Sequence, residues 1–223
     1  AIMADEFEGD FGEEQKKMQA FLTSPEWKRT TAQGWGVNRA ETAEIFTANQ
    51  MYIRKFPDRA ASLLGKLHCQ HYGLPSFGKR LAAATREFVP FTGDPAGWFA
   101  QNGRFTDFSG KTIELPERTF ATHTSGKYTA ARVPLLDVIA EVLRQPDEVW
   151  LNNYDGKAFD CLNYIRFYRD KAINVVCRIE NGKTLAVRTW FEIAIRPTTR
   201  SGGKIAPEKD PRLKYRRGLL VKK

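Results

Sequence analysis

A single histidine, His123, stands in a short polar and basic segment of the C-terminal half, Phe120-Ala-Thr-His-Thr-Ser-Gly-Lys127. Histidine titrates near neutral pH, so it can accept or donate a proton during a reaction. RNA cleavage without a metal ion needs this chemistry, because the 2′-hydroxyl is the nucleophile and the protein supplies a base, an acid and cations. A histidine in an exposed loop is more often a bystander. Its neighbours Thr124, Ser125 and Lys127 favour a catalytic role here.

Other catalytic schemes find little support in the sequence. Cys161 and Cys177 have no histidine close by, and the Walker, GxSxG, HExxH and strand-to-helix GxGxxG motifs are absent. His68, Cys69 and His71 look like a metal cluster, but a second ligand pair is missing, so we expect neither a metal site nor a cofactor. The three cysteines form no CxxC pair and no disulfide framework, which suits a reducing compartment.

The positive charge of the chain lies in its C-terminal half. Residues 118–223 contain 21 Lys and Arg against 11 Asp and Glu, a net charge of +10, whereas residues 1–117 contain 14 against 15, a net charge of −1. This favours a polyanionic partner, because neutralised phosphates release counterions; a solubility-tuned surface and a membrane-surface patch are the alternatives. No apolar run approaches a membrane span, and residues 1–10 lack the order of a secretory signal. We therefore expect a soluble chain.

The sequence predicts an α+β chain in two parts. Residues 1–85 have helical periodicity and predict an N-terminal helical bundle, while residues 86–104 are rich in Gly, Pro, Phe and Asp and predict a linker. Residues 105–223 predict an amphipathic helix over 133–144 followed by an antiparallel sheet. Asn181-Gly182 predicts a hairpin between two of its strands. The predicted strands span 148–151, 163–169, 172–179, 184–195 and 218–221.

Alternation along the strands predicts two faces of this sheet. The face expected to pack on the helix carries Ile165, Phe167, Ile173, Val175, Cys177, Ile179, Leu185, Val187, Phe191, Ile193 and Ile195. The opposite, exposed face then carries Tyr164, Arg166, Tyr168, Asn174, Arg178, Arg188, Trp190 and Glu192. Aromatic rings interleaved with arginines suit single-stranded RNA, which binds by base stacking and phosphate contacts. An ordinary amphipathic sheet with cross-strand pairs on its outer face is the alternative.

Several short motifs of the C-terminal half resemble those of a known nuclease family. They are Asp107-Phe108-Ser109-Gly110-Lys111, Phe120 with His123, residues 135–144, Pro146-Asp147-Glu148-Val149-Trp150 and Lys214-Tyr215-Arg216-Arg217-Gly218-Leu219-Leu220. Over roughly residues 105–223 the chain resembles the phage-associated branch of the barnase, EndoU, colicin and RelE-like ribonucleases. Members occur at the ends of phage head-morphogenesis proteins and as C-terminal toxin domains of contact-dependent and other polymorphic toxin systems.

The resemblance implies a metal-independent nuclease with helices followed by an antiparallel sheet. His123 would be the general base or acid, Lys127 and Arg188 would stabilise the phosphate, and Thr189 occupies the matching strand position. The parity of Thr189 places it among core residues unless a bulge rotates the strand. The residues expected to contact RNA are Tyr164, Arg166, Lys171, Arg216 and Arg217, each of which could equally be a solvated surface group.

The resemblance also implies a substrate, a partner and a place of action. Such toxins cut transfer RNA in a target cell, and 2′-hydroxyl attack leaves a cyclic phosphate. The protein would be a secreted or delivered effector acting in the target-cell cytoplasm, with the N-terminal bundle delivering or tethering it. Its cognate immunity protein is expected to be acidic, because the C-terminal part carries a net charge of +10.

Two other functions stay open at the level of sequence. An ADP-ribosyltransferase-type toxin would also be basic and rich in strands, and it would need an NAD pocket with a catalytic glutamate, for which Glu192 is the candidate. A non-enzymatic RNA-binding or phage structural protein would keep the aromatic-basic face without needing His123. Substitution of His123 separates these hypotheses.

Overall fold

A computed structural model describes residue 69 and residues 72–152, 161–180, 184–193, 215–216 and 219–223. Most of the predicted N-terminal bundle, residues 181–183 of the predicted hairpin, and Arg217 lie outside these residues. The described helices are α1 (Phe77–Ala83), α2 (Pro95–Gln101), α3 (Glu117–His123), α4 (Thr129–Arg132) and α5 (Val138–Arg144). Two short 3-10 turns, Gly126–Tyr128 and Val133–Leu135, flank α4.

The described strands form one seven-stranded sheet. They are β1 (Arg104–Thr106), β2 (Thr112–Glu114), β3 (Glu148–Asn152), β4 (Cys161–Tyr168), β5 (Lys171–Glu180), β6 (Thr184–Glu192) and β7 (Leu219–Lys222), in the spatial order β1-β2-β6-β5-β4-β3-β7. All neighbouring strands are antiparallel except β2 and β6, which are parallel. The predicted α+β class and the five predicted strands are confirmed, whereas β1 and β2 were not predicted.

The segment predicted as a linker, residues 86–104, contributes to the folded core. Its Asp94 and Pro95 are the N-cap and first residue of α2, and the Asp94 carboxylate accepts a hydrogen bond of 2.7 Å from the Gly97 backbone N–H. Asp94 and Pro95, which the sequence predicted to lie in a loop, therefore start a helix. The helix buries Trp98, whose ring packs near Phe105 and Phe120. The aromatic side chains of this segment thus pack in the same apolar core as the sheet.

Both faces of the central strands are covered. One face packs on α5 through Val138, Ile139, Val142, Leu143, Tyr164, Tyr168, Ile173, Val175, Cys177, Val187 and Trp190. The other face packs on α1 through Cys69, Leu74, Phe77, Trp150, Ile165, Phe167, Ala172, Ile193 and Leu220. Full burial of such apolar side chains contributes about 1.5–3 kcal/mol each. Two apolar layers thus stabilise one sheet.

The predicted exposed aromatic-basic face is therefore wrong. Tyr164, Tyr168 and Trp190 are buried on the helix side, and Asn174 is buried on the opposite side. Strand β4 has apolar residues at both parities, so alternation could not tell which set faces the helix. Ile165 and Phe167, predicted to face the helix, instead pack on the α1 side.

Strand β6 contains a β-bulge at Arg188. Val176 of β5 lies opposite Thr189 and Cys177 lies opposite Val187, so Arg188 has no partner in the register. An extra residue shifts the alternation of everything that follows it. Val187 and Trp190 consequently share the helix side, and Thr189 lies on the opposite side, away from the parity predicted for a regular strand.

Candidate active site

His123 is the last residue of α3, and its ring lies against the bulge of β6. Its Nε2 is 3.1 Å from the backbone carbonyl oxygen of Arg188. The ring also makes edge contacts with the rings of Tyr128 and Trp190, at centroid distances of 5.8 and 5.2 Å. A helix end, a 3-10 turn and a strand bulge together orient this side chain.

The hydrogen bond to Arg188 assigns the tautomer of His123. A carbonyl oxygen only accepts, so Nε2 carries the proton, and Nδ1 of the neutral ring carries the free lone pair. Nδ1 is buried and has no hydrogen-bond partner among the described residues. Desolvation lowers the pKa of His123 below its ordinary value; the Arg188 carbonyl raises it, and the charges of Arg132 and Arg188 lower it. The lowered pKa favours the neutral ring, in which Nδ1 is a basic nitrogen with no hydrogen-bond partner among the described residues.

Three cationic side chains belong to the segments around His123. Lys127 is exposed and its Nζ lies 5.1 Å from the centre of the Tyr128 ring, which itself contacts His123. Arg188 is exposed at the bulge. Arg132 donates a hydrogen bond to the carbonyl oxygen of Trp190, and the Trp190 Nε1 donates one of 3.0 Å to the Arg132 carbonyl oxygen. These cations can stabilise negative charge on a phosphate beside His123.

The structure brings together part of the predicted catalytic set. His123 and Arg188 meet directly through the hydrogen bond, and Lys127 lies in the turn that follows α3. Thr189 is half-buried next to Arg188, and its role stays a prediction. Arg132 was not predicted; in the sequence it is one of many arginines, and only its packing against Trp190 and Phe191 distinguishes it.

Tyr164 and Arg166, expected to contact RNA, contact buried groups of the protein. The Tyr164 hydroxyl donates a hydrogen bond of 3.0 Å to Asp107, and burial raises its pKa well above the ordinary value. Arg166 is 5% exposed, forms an ion pair of 2.9 Å with Glu141 and donates hydrogen bonds to Gln145. Neither side chain is presented to a ligand.

Arg216 lies in the core on the α1 side of the sheet, in contact with Cys69. It is fully buried, and its Nε and Nη2 each donate a hydrogen bond of 2.8 Å to the carboxylate of Glu148, which is also fully buried. Glu148 accepts two further hydrogen bonds, of 3.1 Å from Arg80 and 3.0 Å from the Trp150 indole. Arg216 thus joins two of the family-like motifs, 146–150 and 214–220, and has a structural role. Arg217 lies outside the described residues.

Lys171 lies at an open cleft of about 430 Å³. Its Nζ is 3.6 Å from a carboxylate oxygen of Glu192, the residue considered for an ADP-ribosyltransferase. Phe88, Arg132, Phe191 and Tyr215 also line the cleft. Contact of Lys171 with RNA stays a prediction.

Cys69 and Cys177 are buried and have no feature of a reactive thiol. Cys69 is buried with its thiol donating to the Arg216 carbonyl oxygen, and burial raises its pKa to about 11. Burial also raises the pKa of Cys177. Within the described residues, no group of three or more His, Cys, Asp and Glu side chains is arranged to hold a metal ion, and no helix is long and apolar enough to cross a membrane. His68 and His71 lie outside the described residues.

One comparison with known proteins finds a family match for this chain. The family model described as phage-Barnase-EndoU-ColicinE5/D-RelE like nuclease2 matches residues 87–221, more than half of the chain. Neither a curated protein nor a solved structure matches the chain. The matched region contains α2 to α5, β1 to β6, His123 and its cationic neighbours, and it starts inside the segment predicted as a linker. The chain belongs to this family of phage Barnase-EndoU-ColicinE5/D-RelE-like nucleases.

Proposed function

We propose that the protein is a metal-independent endoribonuclease that cleaves RNA by attack of the 2′-hydroxyl. The observation that carries the proposal is His123, a neutral histidine fixed through Nε2 and with no hydrogen-bond partner for the basic Nδ1 in the described structure. Membership in a nuclease family supports the reaction class. The cations of Lys127, Arg132 and Arg188 near this ring support a phosphate substrate.

In the proposed reaction, Nδ1 of His123 accepts the proton of the 2′-hydroxyl. The 2′-oxygen attacks phosphorus, the bond to the 5′-oxygen breaks, and a 2′,3′-cyclic phosphate forms. Arg188 stabilises the added negative charge of the phosphorane, and Lys127 gives a proton to the departing 5′-oxygen. Because Nδ1 is buried in the free protein, contact with the substrate requires a movement of the turn containing Lys127 and Tyr128, while the Nε2 hydrogen bond to Arg188 is kept.

The biological setting is part of the same proposal. We assign transfer RNA as the substrate and a toxin delivered into the target-cell cytoplasm as the context, on the strength of the family. The net charge of +10 over residues 118–223 favours an acidic immunity protein that covers the site. Tight inhibition by a neutral protein bound elsewhere would contradict this assignment.

The RNA-binding alternative has lost its main support, and the family match favours a nuclease over an ADP-ribosyltransferase. The open aromatic-basic sheet face, on which a purely RNA-binding protein rested, is covered by α1 and α5. The Glu192 carboxylate, considered for ADP-ribosyl transfer, forms an ion pair with Lys171. The family points to a nuclease in both cases.

The direct test is cleavage of total bacterial RNA by the purified full chain in the presence of EDTA. We expect discrete fragments with cyclic phosphate ends from the wild type, none from His123→Ala, and undiminished cleavage by Lys79→Ala, which removes an exposed charge on α1. A substrate with a 2′-deoxynucleotide at the mapped site should stay intact. Equal cleavage by His123→Ala, or a strict need for a divalent ion, would refute the mechanism.

A further inference from the structure

Trp190 and Arg188 contact His123 from one short stretch of β6. The Arg188 carbonyl oxygen is 3.1 Å from Nε2 of His123, and the Trp190 ring makes an edge contact with the His123 ring at a centroid distance of 5.2 Å and an interplanar angle of 73°. Only Thr189 separates the two residues in the bulged strand. The strand therefore holds the histidine at two points, one at a ring nitrogen and one along the ring.

Trp190 is itself fixed in the core. It is fully buried on the α5 side of the sheet and lies opposite Val175 of β5. Its Nε1 donates a hydrogen bond of 3.0 Å to the carbonyl oxygen of Arg132, and the Arg132 guanidinium donates one to the carbonyl oxygen of Trp190. A buried indole whose N–H is paired has few alternative orientations in a close-packed core. The ring can therefore act as a rigid surface for His123.

Tyr128, the other ring that contacts His123 among the described residues, is held less firmly. It is half-buried and ends a 3-10 turn of three residues, which begins at Gly126 with a φ of +57°. In the proposed reaction this turn moves so that RNA reaches Nδ1, and the contact between Tyr128 and His123 is then lost. Trp190 is the ring that stays against His123 in that state.

Proton transfer requires one particular orientation of the His123 ring. The Cβ–Cγ torsion of histidine is broad and roughly two-fold, and a half-turn exchanges Nδ1 with a carbon that accepts no proton. The same half-turn removes Nε2 from the Arg188 carbonyl oxygen. A single hydrogen bond leaves the ring plane free to tilt, so a second contact is needed to define that plane.

We infer that Trp190 is a positioning residue, which keeps Nδ1 of His123 directed at the substrate once the turn containing Lys127 and Tyr128 has moved; the inference rests on the proposed function. Trp190 acts through His123, and its own orientation depends on the indole hydrogen bond to Arg132. Because the side chain is fully buried, it adds nothing to the binding of RNA. Its loss should therefore lower the rate of reaction in the bound complex and leave binding unchanged.

The test compares Trp190→Phe with the matched control Trp150→Phe. Both tryptophans are fully buried and donate an indole hydrogen bond of 3.0 Å, but Trp150 lies on the α1 side of the sheet and bonds to Glu148. The kcat and KM of the full chain are measured on a fluorogenic RNA oligonucleotide that contains the cleavage site mapped in total bacterial RNA. NMR of the imidazole nitrogens gives the tautomer of His123.

We expect Trp190→Phe to lower kcat at least about tenfold with KM unchanged, because a small misplacement of a reacting group costs a factor of this size or more. Its His123 should show a mixture of tautomers, since the ring leaves the Arg188 carbonyl oxygen for part of the time. Trp150→Phe should keep the wild-type kcat and the single Nε2–H tautomer, whatever stability it loses.

A measurement on the wild type covers the case in which Trp190→Phe does not fold. The full chain is bound to the same oligonucleotide with a 2′-deoxynucleotide at the cleavage site, which prevents the reaction. Nuclear Overhauser contacts between His123 and Trp190 should persist in this complex, whereas those between His123 and Tyr128 should disappear. Disappearance of the Trp190 contacts would overturn the inference.

The outcomes separate this inference from the proposed function. A wild-type kcat in Trp190→Phe, or an equal loss of kcat in Trp150→Phe, would overturn the positioning role and leave the nuclease standing. Intact RNA with the wild type would refute the proposed function. The His123 tautomer of the free proteins then still decides the role of Trp190: a mixture in Trp190→Phe alone supports it, and a single Nε2–H tautomer in both variants overturns it.

Discussion

Substitution of Arg216 tests whether this residue contacts RNA or stabilises the fold through its ion pair with Glu148. Arg216 and Glu148 are both fully buried and joined by two hydrogen bonds of 2.8 Å. Removal of one partner from a buried pair costs about 3–5 kcal/mol, because the other charge stays buried. Arg80, 3.1 Å from Glu148 and 26% exposed, still neutralises part of that charge. We therefore expect Arg216→Met to lower the free energy of unfolding by about 3 kcal/mol.

The assay is urea unfolding of the full chain, followed by tryptophan fluorescence. Arg86→Met is the control, because the Arg86–Asp147 ion pair of 2.7 Å lies nearer the surface, with the two side chains 43% and 17% exposed; its loss should cost less, about 1 kcal/mol. The double variant Arg216→Met, Glu148→Leu should be more stable than Arg216→Met alone, because no buried charge is then left without its partner.

One result would refute this reasoning. If Arg216→Met unfolds within about 1 kcal/mol of the wild type and at the same time loses affinity for RNA, then Arg216 contacts the substrate as the sequence suggested, and the buried pair does not stabilise the fold. Retained RNA affinity after correction for the unfolded fraction is the result expected from the structure.

Three further predictions concern the turn between β1 and β2 and the pH dependence. Asp107→Ala should lower the unfolding free energy by about 3 kcal/mol in denaturant titrations, because the carboxylate accepts bonds from Tyr164, Ser109 and Lys111, and Asp107→Asn should cost less. Gly110→Ala should cost about 1–2 kcal/mol in the same assay through its φ of +85° alone, since an added Cβ meets no atom within 4 Å. Cleavage should decline as the pH falls through the pKa of His123, which is below the ordinary 6.5, because protonated Nδ1 accepts no proton. A cleavage rate that halves above pH 7, in step with an NMR titration of His123, would contradict this prediction.

The class of the fold was predictable because its signals are local. Apolar periodicity over 133–144 predicted the region of α5, and β-branched runs around Asn181-Gly182 predicted β5 and β6. The sequence could not show which residues face each side of the sheet, because β4 carries apolar residues at both parities and a second apolar layer covers the sheet. Burial of Tyr164 depends on Asp107, 57 residues away in the chain.

Of the candidate site, only His123 and the residues next to it could be predicted from the sequence. His123 stood out because it is the one histidine of the basic half, and Arg188 was reached through the family resemblance. Arg216 was predicted to contact RNA, and its burial could not be foreseen because its partner Glu148 lies 68 residues earlier, and two opposite charges at such a separation give no local pattern. The missed residue Arg132 is recognised only through its contacts with Trp190 and Phe191.

The bulge in β6 makes the proposed proton transfer depend on the number of residues in this strand. Arg188 is the extra residue, and its carbonyl oxygen holds Nε2 of His123. Deletion of Arg188 would restore regular pairing, keep Trp190 opposite Val175 on the helix side and remove the carbonyl that accepts the His123 hydrogen bond. Loss of this one codon would thus leave His123 without the carbonyl that orients its ring. The other proposed catalytic side chains would still be present.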